Sequence, residues 1–208
     1  MNCIYCKHPH TYVLADKQHK CSKCKRKFSV SKIQREEKLF IHFQDGDTAR
    51  QTSIQTKMHF LTVQKYFEKF RTTIALNSDR MYQNNGNKTT DYDEYLYLPQ
   101  SLNIKDNIDK IQHFLTLSYD DTIYNIMMPK TRQSLLGKQD DNRQKLRMKY
   151  LKFNTISHLS KSQNIITKFW NYFEKFICRY KGVSNEKFIF YLKEAEWRFN
   201  LQQKQKIK

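Results

Sequence analysis

Glycine and proline are scarce in this 208-residue chain, at four and three residues. No internal repeat is present, and only Asn77 to Thr90 (NSDRMYQNNGNKTT) is linker-like, polar and rich in turn formers. Long apolar runs are also missing. No eighteen consecutive apolar residues exist to span a bilayer, and the start, MNCIYCKHPH, lacks a signal-peptide core. Acidic residues are the third shortage: 20 Asp plus Glu stand against 38 Lys plus Arg, a formal charge of +18. Such an excess points to a polyanion, with nucleic acid ahead of an anionic membrane. Without an export signal, the expected setting is cytoplasmic and nucleoid-associated, where thiols stay reduced.

The charge is uneven. Residues 1–90 carry 17 basic and 7 acidic side chains, residues 91–141 carry 5 and 9, and residues 142–208 carry 16 and 4. Two basic segments therefore flank an acidic one. Its carboxylates are either an ordinary solvated surface or ligands gathered around a divalent metal.

What the chain does have, at its start, is two Cys-x-x-Cys pairs: Cys3 with Cys6 and Cys21 with Cys24, fourteen residues apart. Two such turns complete the tetrahedral all-sulfur set that zinc prefers, and four thiolates leave no open position for water. One structural Zn2+ is the expectation, with two disulfides or four free thiols as the alternative. The residues between the pairs suit a short hairpin, Thr11 to Leu14 going out and Gln18 to Cys21 returning. Lys25, Arg26 and Lys27 follow directly and can meet phosphates. Cys178, in an aromatic helical pattern, is expected to be a buried small residue.

Three helices come next: Lys32 to Phe43, a short one from Thr48 to Ile54 capped by Asp47, and a third from Phe60 to Arg71. The apolar face of the third is Phe60, Val63, Phe67 and Phe70. A short helix, a tight turn and a longer helix match the helix-turn-helix plan, whose last helix enters the major groove. On that plan His59, Thr62, Gln64 and Lys65 face DNA, while Arg50, Lys69 and Arg71 meet phosphates. A three-helix packing module is the alternative.

Beyond the linker the period changes. Tyr92 to Leu98, Ile111 to Ser118 and Thr122 to Met128 read as strands, the last two joined by a turn at Tyr119-Asp120-Asp121. Arg143 to Leu151 suits a helix and Phe153 to Leu159 a fourth strand. Two helices close the chain. One has an apolar stripe of Ile165, Ile166, Phe169, Trp170, Phe173, Phe176, Ile177 and Tyr180. The other has Phe188, Leu192, Ala195 and Phe199. The fold class is α+β or α/β, divided as 1–30, 31–76, a linker at 77–90, and 91–208.

This order of parts resembles bacterial insertion-sequence transposases of the zinc-ribbon, helix-turn-helix, ribonuclease-H-like DDE type. CSKCKRKFSV, TVQKYFEKFR, DYDEYLYL, ISHLSKSQNIITKFWNYFEKF and YKGVSNEKFIFYLKEAEWRFN carry the resemblance. It implies a mixed sheet with packing helices and carboxylates that hold Mg2+ for DNA cleavage and strand transfer. By resemblance the first acid is Asp93, with Glu94 on the opposite strand face. The segment Lys130 to Lys152 is short for the elements that carry the second acid, leaving Asp140 or Asp141. At the third position Asn164 is present, but the expected carboxylate three residues later is Thr167. A family-like basic residue falls at Glu174 or Lys175, and His158 matches a family histidine.

An incomplete acidic set is a poor two-metal site. The reading is thus a DNA-binding protein derived from such a transposase, its catalytic domain shortened and decayed or repurposed. The alternatives are an active DDE transposase, or a zinc-ribbon interaction module with a basic surface for DNA or RNA. Double-stranded DNA is the expected partner, with a homo-oligomer by analogy.

Overall fold

Each unit of the fold starts from a short local signal. In the first, residues between the cysteine pairs form the expected hairpin, β1 (Thr11–Val13) against β2 (His19–Cys21), and β3 (Lys27–Phe28) adds to β2. Phe28 is buried, with His19 stacked on it and Tyr5 edge-on. Val30 and Ile33 pack on the small core of Cys3, Cys21 and Phe28, which ties this sheet to the following helix. This computed structural model describes residues 1–85, 89–98, 111–128 and 164–206 and divides into Met1–Phe70 and Arg71–Lys208. The described residues form a mixed α+β chain with two three-stranded antiparallel sheets and five helices.

Helix α1 (Val30–Asp45) starts where the Ser29 side chain accepts the Lys32 N–H. It ends at Gly46, whose left-handed φ of 91° lets its N–H reach the His42 and Phe43 carbonyls. Helix α2 (Ala49–Thr56) is capped by Thr48, not Asp47 as expected. Thr48 and Gln51 form a reciprocal capping box, while Asp47 turns to His42 at 2.9 Å. Lys57, at φ 56°, ends α2, and residues 57–59 lead into α3 (Phe60–Asn85). Leu39, Phe43, Val63, Phe67 and Phe70 are buried, and the Phe43 ring meets Phe67 edge-on at 5.0 Å. Phe60, expected on that face, is exposed at the helix start.

The third helix runs to Asn85, well past the expected Arg71, and takes residues 77–85 from the linker. Its polar letters misled because they have buried partners. Arg71, Ile74, Ser78 and Tyr82 recur at helical spacing; Ile74 is buried, and Arg71, Ser78 and Tyr82 meet Glu194, Glu196 and Tyr124 within the second unit. Tertiary packing overrides weak local propensity here. The division between units falls inside this helix, at Phe70 and Arg71.

In the second unit, β4 (Asp91–Tyr97), β5 (Gln112–Tyr119) and β6 (Thr122–Met127) form an antiparallel meander. The β5–β6 hairpin turns on Asp120 and Asp121, both left-handed at φ 45° and 56°, as a two-residue primed turn requires. Tyr95, Phe114 and Ile123 share the core with α4 (Ile165–Ile177) and α5 (Phe188–Lys206). Both expected apolar stripes are there, with Ile165 and Tyr180 only partly buried. Cys178 is not the buried residue expected: it caps α4, off the stripe, and is exposed.

Strand β6 leaves outward-facing backbone groups that need covering. Helix α5 covers them. Glu196 accepts the Asn125 N–H at 2.7 Å, and Asn200 brackets Ile123, accepting its N–H and donating to its carbonyl, both at 2.8 Å. The expected helix at Arg143 to Leu151, the strand at Phe153 to Leu159, and Asp140, Asp141 and His158 lie outside the described residues. Among the described residues, no helix is long and apolar enough to cross a membrane.

Candidate metal centre

The two cysteine pairs make one turn twice. Lys7 and Lys25, each just after the second cysteine of its pair, share a left-handed φ of 59°. Their N–H groups reach back to the Cys3 and Cys21 carbonyls at 2.9 and 3.1 Å. The Cys3 and Cys21 N–H groups reach forward to His8 and Arg26 at 2.8 and 3.0 Å. This repeated backbone aims two sulfurs from each turn at one point.

All four Sγ atoms lie within 4.8 Å of one another, and Cys3–Cys24 and Cys6–Cys21 are each 3.6 Å apart. A disulfide needs about 2.05 Å. A tetrahedral ion with Zn–S of about 2.3 Å sets its sulfurs about 3.8 Å apart. The observed separations fit the ion and not the disulfide.

The thiols are prepared unequally. Burial pushes Cys21 up, but the Cys24 and Lys23 N–H groups, 3.4 and 3.3 Å from its sulfur, and the Cys6 thiol hold it at about 6. Cys3 is likewise lowered against burial, by the Cys6 and Tyr5 backbone. At Cys24 the Arg26 N–H pulls downward, yet burial and the neighbouring thiols push the group up to about 11. Cys21 is thus an early thiolate, and metal entry would displace protons from its neighbours.

An uncharacterized transposase-like protein of Haemophilus influenzae is 35% identical to the chain over 54 residues, 24% of this chain and 44% of that protein. The chain thus spans less than half the length of this curated relative. No protein-family profile and no solved structure matches.

The residues expected at DNA are placed unequally. Lys25, Arg26, Lys27, Arg50, His59 and Lys65 are exposed, and Arg26 lies over the Tyr5 ring at 5.1 Å. Thr62 and Gln64 are half-buried on α3. Lys69 is exposed but paired with Glu36 at 2.5 Å. Arg71 departs from the expectation of a phosphate contact. It is buried, its Nε donating to Glu194 at 2.6 Å and its guanidinium stacked over Tyr191 at 4.2 Å and Tyr180 at 5.4 Å. Burial opposes its charge, but Glu194, Tyr191 and Tyr180 outweigh this and raise its pKa.

Of the candidate catalytic residues, Asp93 is half-buried on β4, and its Oδ1 accepts the Glu94 N–H at 2.9 Å. Glu94 takes the opposite face, meeting His113 at 3.0 Å. Asn164 caps α4: its Oδ1 accepts the Thr167 N–H and hydroxyl at 2.9 and 3.0 Å, and its Nδ2 donates to Asp91 at 3.0 Å. Thr167 therefore completes a helix cap at the position where the resemblance implies a carboxylate. Glu174 accepts from the Tyr95 hydroxyl. Among the described residues, the four cysteines are the group that could hold a metal ion, and no such set surrounds Asp93.

Sequence reasoning missed a buried polar chain in the second unit. Trp170 donates to Thr116 at 2.9 Å, Thr116 to Asn125 at 2.8 Å, and Asn125 to Glu196 at 3.0 Å; Glu196 also meets Ser78 and Lys193. Burial lowers the Lys193 pKa, with Glu196 and Asp79 opposing it. Beside this chain, Glu194 joins Arg71 to Arg198. The available signal was the spacing of Lys193 with Glu196 and Glu194 with Arg198, which also describes an exposed helix face.

Proposed function

We propose that the chain is a zinc-stabilised, duplex-DNA-binding protein derived from a transposase, with a repurposed or decayed ribonuclease-H-like domain. The observation that carries this reading lies within the first unit. A four-cysteine cluster shaped for zinc precedes a short helix, a three-residue turn that exposes His59, and a longer helix whose second turn exposes Lys65. This is the helix-turn-helix arrangement, with Val63 and Phe67 holding α3 from behind while its solvent side reaches base edges. The transposase-like relative supports the ancestry.

Arg50, exposed in the first turn of α2, has the expected role at phosphate. Arg50→Ala should weaken duplex binding and reduce the slope of log affinity against log salt by about 0.9, one phosphate contact. Fluorescence anisotropy across a salt series reads this. In the same assay, duplex RNA that outcompetes duplex DNA at equal salt would favour the interaction-module reading instead.

A second reading, an active DDE recombinase, has one observation in its favour. The Asn164–Asp91 contact brings the start of α4 to the strand that carries Asp93, and Asp91 and Asp93 share a strand face. With DNA and Mg2+ or Mn2+, the decayed reading expects no cleavage from either the native chain or Asp93→Ala. Cleavage that disappears in Asp93→Ala would establish the enzyme.

A further inference from the structure

The first sheet has two unlike faces. Cys21, His19 and Phe28 lie on one, which is occupied by the cysteine cluster and its small core. Side chains alternate along a strand, so Tyr12, Lys20 and Lys27 share the other. The register makes these three a single cross-strand row: Tyr12 is opposite Lys20, and Lys20 is opposite Lys27. Adjacent strands lie about 4.8 Å apart, so the row sets an aromatic ring beside two ammonium groups over roughly 10 Å. Tyr12 is 44% exposed, Lys27 is exposed and Lys20 is half-buried.

Like charges directly opposed on a sheet repel. Little nearby offsets them. Residues 1–35 hold nine Lys or Arg and a single carboxylate, Asp16, which accepts the Gln18 N–H at 3.0 Å in the hairpin turn. The alternation also turns Lys20 away from the Cys21 sulfur, so this row does not serve to balance the thiolates. An exposed ring next to an uncompensated lysine pair is the chemistry that holds single-stranded nucleic acid: the ring stacks a base and the cations hold its phosphate.

We infer that the solvent face of the first sheet is a second DNA contact: Tyr12 stacks an unpaired base and Lys20 with Lys27 holds the flanking phosphate. This rests on the DNA-binding reading above and adds strand ends or frayed segments to its ligands. It also gives Lys27 a specific partner and brings in Tyr12 and Lys20, which the motif reading passed over.

The test compares the full chain on a labelled blunt DNA duplex, the same duplex with a single-stranded overhang, and an RNA overhang, with zinc content measured for each variant. The native chain should prefer the DNA overhang. Tyr12→Thr, which keeps a strand-forming residue, should lose overhang affinity by about tenfold. It should leave blunt-duplex affinity within about twofold, while Tyr12→Phe should keep the native preference, as the aromatic face is retained. The pair Lys20→Gln and Lys27→Gln should flatten the overhang salt slope by about 0.7, the contribution of the one single-strand phosphate they hold. Unchanged overhang affinity in Tyr12→Thr, or a native preference for the RNA overhang, overturns the inference. Failure of the native chain to bind the blunt duplex is a different result and removes the helix-turn-helix reading instead.

Discussion

Replacing Cys21 with serine is expected to abolish zinc binding and weaken duplex-DNA binding while Arg71–Lys208 stays folded. Cys21, like Cys3, is fully buried, its pKa is held down to about 6, and it sits 3.6 Å from Cys6. A structural tetrathiolate site contributes on the order of 10–16 kcal/mol of apparent metal binding, all of it conditional on a complete ligand set. The ribbon's organic core is only Cys3, Cys21 and Phe28 with a few partly buried neighbours. That is too little to hold three short strands without the ion, as in other small metal-dependent folds. Lys25, Arg26 and Lys27 would lose their fixed backbone, so the duplex salt slope should flatten by about 2 to 3, at roughly 0.9 per phosphate. The second unit has its own aromatic core and should keep its unfolding transition. Zinc content, far-ultraviolet dichroism and anisotropy check the three parts. Full duplex affinity in the zinc-free variant would assign the ribbon to another partner.

The second large effect is expected at Glu194. This fully buried carboxylate holds Arg71 at 2.6 Å and Arg198 at 2.8 Å, and both arginines are themselves buried. Glu194→Ala strands two cations in a desolvated site. Removing one partner of a buried pair costs about 3–5 kcal/mol. For a unit of this size that lowers Tm by on the order of 10 °C. Differential scanning calorimetry of the full chain would show the drop in the transition of the second unit. Arg71→Met separates the structural role from the expected phosphate contact. A Tm loss with an unchanged duplex salt slope supports the buried ion pair. A slope reduced by about 0.9 with no change in Tm would restore Arg71 to the DNA surface.

The contrast between these residues shows what could be read from the chain. Cysteine spacing is a local constraint, because a Cys-x-x-Cys turn fixes its own geometry. The four-cysteine cluster was therefore legible before any fold was known. The aromatic stripes of α4 and α5 were legible for a similar reason: burial of Phe169, Phe173, Leu192 and Phe199 follows from helical period alone. Arg71 and the 77–85 segment were not. A polar helix face looks the same whether it meets water or a buried carboxylate, and only the partners Glu194, Glu196 and Tyr124 decide which. Asn164 is intermediate. Its position before an apolar helix announces a cap as readily as a ligand, and the structure places it in the cap. The Tyr12, Lys20 and Lys27 row needed register, which turn chemistry alone did not fix.

The most direct test of zinc-dependent duplex recognition is one anisotropy titration of the full chain against duplex DNA over a salt series, before and after zinc removal by a chelator. The account predicts that log affinity falls linearly with log salt for the zinc form. It also predicts that the zinc-free form binds more weakly with a shallower slope, and that adding zinc back restores both. Identical curves for the two forms, or no binding to duplex DNA in either, would contradict it.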